Sequence, residues 1–291
     1  MAKEKLITLV LVGGVAAIST SAVLIRLAEA PPFVIAFYRM LFAALFFLPL
    51  ALREGRGLRL EKQQLRLALG AGVMLAMHFA LWMTSLEQTS VASSVVLVTT
   101  QPLWVFLLSV LFLAEKPTPR MWLGLVVALA GSVLVTFTEG AGGESRLYGN
   151  LLALGGAVAM ACYFLLGRRL RPQLPLALYS LLVYGGAALV LGFLILLRGL
   201  PLRGFNSFTW LMFVALALVP TVLGHNSLNW ALKYLPATMV SVTILGEPLG
   251  ASIMAVFILK EVPAPLEALG SVITLFGIYL VWQGNARREK A

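Results

Sequence analysis

Phe112-Leu-Ala-Glu-Lys-Pro-Thr-Pro119 and Ile258-Leu-Lys-Glu-Val-Pro-Ala-Pro265 read as two copies of one passage, 146 residues apart. In that register Pro102 falls on Pro248, Glu115 on Glu261, Pro117 on Pro263, Pro119 on Pro265, Gly124 on Gly270 and Gly131 on Gly277. Such coincidences without a gap are hard to reach by chance, so the chain reads as a duplication. The front ends align more loosely, Gly13-Gly14 against Gly155-Gly156 and Ala36-Phe-Tyr38 against Ala177-Leu-Tyr179.

What is duplicated follows from composition. Of 291 residues, 60% are hydrophobic and 12% charged, and the mean hydropathy is +0.94. A soluble domain carries about 25% charged residues, so a soluble enzyme, a nucleic-acid binder and a disordered chain are all disfavoured. A helix needs about 20 apolar residues to cross a bilayer. Ten such stretches are expected, at about 6–25, 33–52, 67–86, 90–114, 120–138, 147–167, 174–197, 208–231, 237–259 and 265–283. Only short connections remain, so no attached soluble domain is expected.

Charge sets the orientation. With the N-terminus inside, the inner segments hold 16 Lys and Arg residues and the outer segments 5, leaving Arg39 within a span. Both termini are therefore expected in the cytoplasm, with a multi-pass chain in the cytoplasmic (inner) membrane. The net charge of +10 fits loops facing an anionic inner leaflet better than a nucleic-acid partner.

Each copy contains five expected spans. An odd number forces the second copy, 147–283, to enter the membrane upside down relative to the first, 6–137. Inverted repeats are typical of secondary transporters, with the substrate site near the midplane between the halves. Exchanging the conformations of two such halves turns an inward-open state into an outward-open one.

The paired five-helix halves and the ending Leu-Phe-Leu-Ala-Glu-Lys-Pro-Thr-Pro119, repeated at 258–265, resemble the EamA family of the drug/metabolite transporter superfamily over nearly the whole chain. The resemblance implies an all-α, ten-helix basket in which helices 1–4 and 6–9 surround a central cavity and helices 5 and 10 lie to the side. It also implies export of small metabolites, amino acids among them.

Charges inside apolar spans are costly and mark function by default. Glu247 is the strongest candidate, close to mid-depth and followed by Pro248. Proline removes a backbone hydrogen bond and frees a carbonyl. Its repeat partner is Gln101-Pro102, so the break is shared and the acid is not. Glu247 could carry a proton, a cation or a substrate ammonium; the alternative is a protonated carboxyl bonded between helices. Arg39 could grip a substrate carboxylate or snorkel to the outer interface, and snorkelling is the favoured of the two. The two differ in depth by about 9 Å at about 1.5 Å per residue, which argues against a direct ion pair.

His78 and His225 are the sole histidines and are repeat-related within one position. Either relays protons or packs. Asn226 and Asn229 share a helix face, and that face must be buried or wet. Trp82, four residues from His78, and Tyr38 are aromatic candidates for the cavity wall, with packing the favoured reading. The hydroxyls of Ser19, Thr20, Ser21, Ser93, Ser94, Thr99 and Thr100 either bond substrate or, more commonly, their own helix backbone. The small residues Gly124, Ala128, Gly270 and Gly277 allow close helix contact.

With Cys162 the lone cysteine and no ligand spacing around either histidine, no metal or cofactor is expected. The partners expected are a small-molecule substrate and the lipid bilayer, with proton coupling through Glu247 as a further expectation. The leading reading is a secondary transporter that exports small metabolites by alternating access. A channel or non-transporting scaffold ranks second. A membrane-embedded enzyme ranks third, since no paired-histidine zinc helix or serine elbow appears.

Overall fold

The computed structural model describes residues 2–113, 118–137 and 143–288. Glu115, Lys116 and Pro117 lie outside them. All regular structure among the described residues is helical. In chain order the helices are α1 (Ala2–Ser19), α2 (Ser21–Leu27), α3 (Pro32–Glu54), α4 (Lys62–Gln88), α5 (Val91–Val98), α6 (Gln101–Leu113), α7 (Pro119–Phe137), α8 (Gly143–Leu170), α9 (Leu176–Arg198), α10 (Ser207–Leu216), α11 (Asn226–Ala231), α12 (Ala237–Thr243), α13 (Glu247–Met254) and α14 (Pro265–Arg288). Short stretches of wider or tighter helix join some of these. Ala217–His225 and Ala255–Leu259 are π-helical, and Ile244–Gly246 is a 3₁₀ turn.

Local sequence explains the boundaries. Pro32 opens α3, where its missing N–H costs nothing. Glu61 and Gln64 form a capping box at α4. Asn206 caps α10 by accepting from the Thr209 amide at 2.7 Å. Lys260 ends the second π stretch in the left-handed region at φ 59°, a conformation rare for a side-chain-bearing residue.

Seven helices among the described residues are long and apolar enough to cross a membrane: Lys5–Leu27, Pro32–Glu54, Lys62–Gln88, Val91–Leu108, Arg146–Leu170, Leu176–Arg198 and Ser207–Ala231. Three shorter apolar helices, Pro119–Leu134, Glu247–Leu259 and Pro265–Val281, fall where the other expected spans lie. The stretch expected at 237–259 is not one helix. It breaks before Glu247 because Pro248 withholds an N–H from the preceding turn.

One large core runs through α1–α6 and α8–α13. A second, smaller core of Leu103, Phe106, Met121, Leu125, Ala128, Ile278 and Val281 holds α7 and α14 against α6. Where α7 and α14 cross, a Cβ on Gly124 would sit 2.6 Å from the Gly277 carbonyl oxygen, and one on Gly277 would strike the Ala128 backbone. Only glycine permits that approach. Leu9, Leu189, Leu196 and Phe257 stand outward, each at least 70% exposed. A belt of this kind suits hydrocarbon rather than water.

Candidate functional site

Three interruptions of the helical ladder meet at the middle of the molecule. α5 stops at Val98 and α6 starts at Gln101, immediately before Pro102. The 3₁₀ turn Ile244–Gly246 precedes Glu247 and Pro248. The π stretch Ala217–His225 contains Pro220. At membrane depth such backbone is tolerated only when buried in protein or facing a cavity. Here it frames a cavity of about 20 Å³ lined by His78, Trp82, Val98, Thr99, Gln101, Met160, His225, Ile244 and Glu247. That is room for about one water. Both halves of the chain contribute to the wall.

Arg39 lies beside this cavity and does not snorkel. It is fully buried. Its Nη1 donates to Ser21 Oγ at 2.7 Å and its Nε to Thr221 Oγ1 at 2.7 Å. Its guanidinium carbon lies 4.2 Å from the centre of the Phe79 ring, a cation–π contact. The π stretch explains the second bond. Pro220 has no N–H to offer the Leu216 carbonyl four residues back. The Thr221 hydroxyl donates to that carbonyl at 2.8 Å, leaving its oxygen lone pair for Arg39. Nη2 of Arg39 is buried without a partner. The carboxyl that acts on Arg39 is that of Glu247. No ion pair within 4 Å joins them among the described residues, but each feels the other's field.

Glu247 is 5% exposed, and that exposure is to the cavity. His78 donates from Nδ1 to the Gly156 carbonyl at 3.0 Å, which leaves Nε2 as its acceptor. Its ring stacks on Trp82 at 5.8 Å and lies 6.4 Å from that of His225. Nδ1 of His225 and Nε1 of Trp82 are buried without partners. The cluster therefore holds a cation, a carboxyl and several unfilled hydrogen-bond positions around one small space. Such a set can grip a small polar molecule by opposite charges, or pass a proton. Among the described residues no group of three or more His, Cys, Asp or Glu side chains could hold a metal ion.

Other candidates are placed elsewhere. Tyr38 donates to the Leu202 carbonyl at 2.6 Å and packs with Phe37, Phe42, Trp210 and Phe213. Asn226 accepts from Ser180 at 2.6 Å. Asn229 accepts from Tyr163 at 2.5 Å and donates to Tyr184 at 3.0 Å. These asparagines belong to a buried network inside the second half, braced by Arg171 donating to the Asn229 carbonyl at 2.8 Å. Ser19, Thr20, Thr99 and Thr100 bond their own helix backbone, whereas Ser21 serves Arg39. Phe79, Thr221 and Met160 belong to the site or its support and carry no local signal: an apolar or hydroxyl residue in an apolar helix looks like packing.

The family model described as the EamA-like transporter family matches residues 5–137 and again 147–283. The chain belongs to the EamA-like transporter family. It is a multi-pass membrane protein of a family of transporters, not of enzymes. "Uncharacterized transporter YwfM" of Bacillus subtilis (strain 168) is 25% identical over 270 residues, covering 90% of this chain and 88% of that one. A "Probable terminal-alkyne amino-acid exporter" of Streptantibioticus cattleyicolor is 28% identical over 200 residues, 67% of this chain and 65% of that one. A crystal structure with a TM-score of 0.72 covers 99% of both chains at 19% identity, a likeness of fold alone.

This EamA-like transporter has a second, larger space, about 490 Å³, at the face carrying the α4–α5 and α13–α14 connections. It is lined in part by Arg26, Glu87, Arg146, Glu261 and Glu267. Small residues of its wall, Ala92 on α5 and Ser252 on α13, sit on the same two helices whose other ends, Val98 and Glu247, reach the central cavity.

Proposed function

We propose that this EamA-like transporter is a secondary carrier that exports small metabolites, amino acids among them, across the cytoplasmic membrane by alternating access. In this reading ten spans form two inverted halves, 6–137 and 147–283, with both termini in the cytoplasm. The observation that carries it is the convergence of Glu247, His78, Gln101 and His225, from opposite halves, on one narrow cavity, with Arg39 buried beside it. An unpartnered guanidinium nitrogen and a cavity-facing carboxyl suit a molecule bearing both a carboxylate and an ammonium group. The exporter of S. cattleyicolor, named for an amino acid, supports the same class. A closed central cavity with a wide vestibule on one side fits a carrier between open states better than a channel.

Glu247 is the coupling group in this proposal. Reconstituted vesicles loaded with amino acids and other small metabolites, placed under a pH gradient and followed by mass spectrometry, test it. Wild type releases one compound class only when protein is present and shows saturating counterflow. Glu247→Gln keeps counterflow and loses its response to the gradient. An unchanged gradient response in the variant removes proton coupling through Glu247. Absence of counterflow in folded wild type removes the carrier reading.

A further inference from the structure

The wide vestibule and the closed cavity are separated by α5 and α13, and what holds α5 in place is unusual. Val91, its first residue, has an amide that no carbonyl of the helix can reach. Glu261 Oε2 accepts that amide's proton at 2.9 Å. Glu267 accepts from the Ser93 hydroxyl at 2.8 Å and from the Ser90 hydroxyl, while Ser90 itself caps the Ser93 amide at 3.0 Å. The second oxygen of Glu267 accepts from the Ala264 amide at 3.2 Å, so one carboxylate serves the first turns of both α5 and α14. Negative charge at these helix starts is favourable. Arg26, at the end of α2, completes the assembly. It pairs with Glu261 at 3.2 Å and donates to the Thr89 carbonyl at 2.8 Å.

The distribution of partners is one-sided. Both carboxylates come from the second half of the chain, and the groups they bind on α2 and α5 come from the first. Lys260 supplies the geometry: its left-handed turn closes the π stretch and brings the Glu261 amide back to the Ala255 carbonyl at 3.2 Å, fixing the carboxylate over α5. The strength is moderate by design of the site. The Arg26 and Glu261 side chains are about a third exposed, 29% and 31%, so their pair is screened and weak. Water in the vestibule can replace either member of this pair, whereas Glu267, 3% exposed, is the fixed part of the assembly. A brace meant to last would be buried. The arginine also has a counterpart at the other end of the molecule. Arg168, which falls on Arg26 in the register that sets Gly13-Gly14 against Gly155-Gly156, donates to the Leu232 carbonyl at 2.7 Å, just past the end of α11.

We propose that Arg26 and Glu261, set in place by the buried Glu267, form a reversible latch that ties α2 and α5 of the first half to the α13–α14 connection of the second and closes the central cavity to the vestibule. The inference rests on the carrier reading, because a latch that opens has a role only where access alternates. Glu87 and Arg146 line the same vestibule.

The lone cysteine makes the test direct. In a Cys162→Ala background, Val98→Cys places a thiol on the cavity wall. The protein is reconstituted in sealed vesicles and labelled with a membrane-impermeant maleimide from one side at a time. Glu261→Gln and Arg26→Gln each raise the labelling rate about three- to tenfold from the vestibule side only, the shift expected when a weak pair biasing two states is lost. Exchanging the two charges, Arg26→Glu with Glu261→Arg, returns the rate toward that of the parent. Unchanged rates in both single variants overturn the latch. So does an equal rise from both sides together with a lowered Tm, the mark of a merely loosened protein. Counterflow is measured on the same vesicles. Its absence in wild type overturns the carrier reading separately, while the labelling ratio still reports on the latch.

Discussion

Arg39 shows how far hydropathy carries at the scale of one residue and where it stops. A charge in an apolar run is visible in the sequence, and so is its distance from the helix end. Its neighbours are not. Ser21 and Thr221 lie 18 and 182 residues away along the chain, and together with Phe79 they turn a side chain expected at the interface into a buried one. Glu247 was legible for the same reason as Arg39, with Pro248 as a second signal. Glu267 went unnoticed because an acid near a helix start is ordinary, and its service to α5 is a tertiary event. The energetic prediction follows from geometry. Lysine cannot span Ser21 and Thr221 as a planar fork does. Arg39→Lys should therefore lose one charge-assisted hydrogen bond, worth about 1.5–3 kcal/mol, seen as a lower Tm in detergent, with transport reduced alongside. A Tm equal to wild type would mean that the fork contributes nothing.

At the scale of elements, proline and glycine punctuation marks several helix ends. Pro32, Pro119 and Pro265 open helices, and Gly199 closes one in the left-handed region at φ 62°. The internal character of the rods was hidden. Ala217–His225 reads as part of an ordinary span, and its π winding emerges only when Pro220 leaves the Leu216 carbonyl to Thr221. Pairing of α7 with α14 is partly legible, since Gly124, Ala128, Gly270 and Gly277 read as contact residues; which helices they join is not. That contact tolerates no bulk. Gly277→Leu should cost about 1–3 kcal/mol through overpacking and loosen α7–α14 while leaving the central cavity intact. The check is Tm together with Val98→Cys labelling: Tm falls and the labelling rate holds. A changed labelling rate would mean that the side pair is coupled to the site.

For the whole molecule, composition alone placed the chain in a membrane, and the duplicated passage suggested how its halves relate. Glu261 of the latch stands in the duplicated passage, but its partners Arg26, Val91 and Glu267 do not, and the vestibule arises from where helix ends meet rather than from any motif. Orientation is testable through the basic stretch that runs from the end of α3 into the start of α4 and holds Arg53, Arg56, Arg59, Lys62 and Arg66. With positive charge kept inside, Arg59→Cys in the Cys162→Ala background should react with an impermeant maleimide only after the cell is permeabilised. Labelling of intact cells would reverse the topology.

The single-water cavity has a consequence for the cell's energy economy. Protons hop along files of water, and ions cross only where a hydrated path is continuous. A space of about 20 Å³ holds one molecule and no file. In this form the central cavity itself offers protons no file of water, so a leak through that cavity does not limit how many copies an energised membrane can hold.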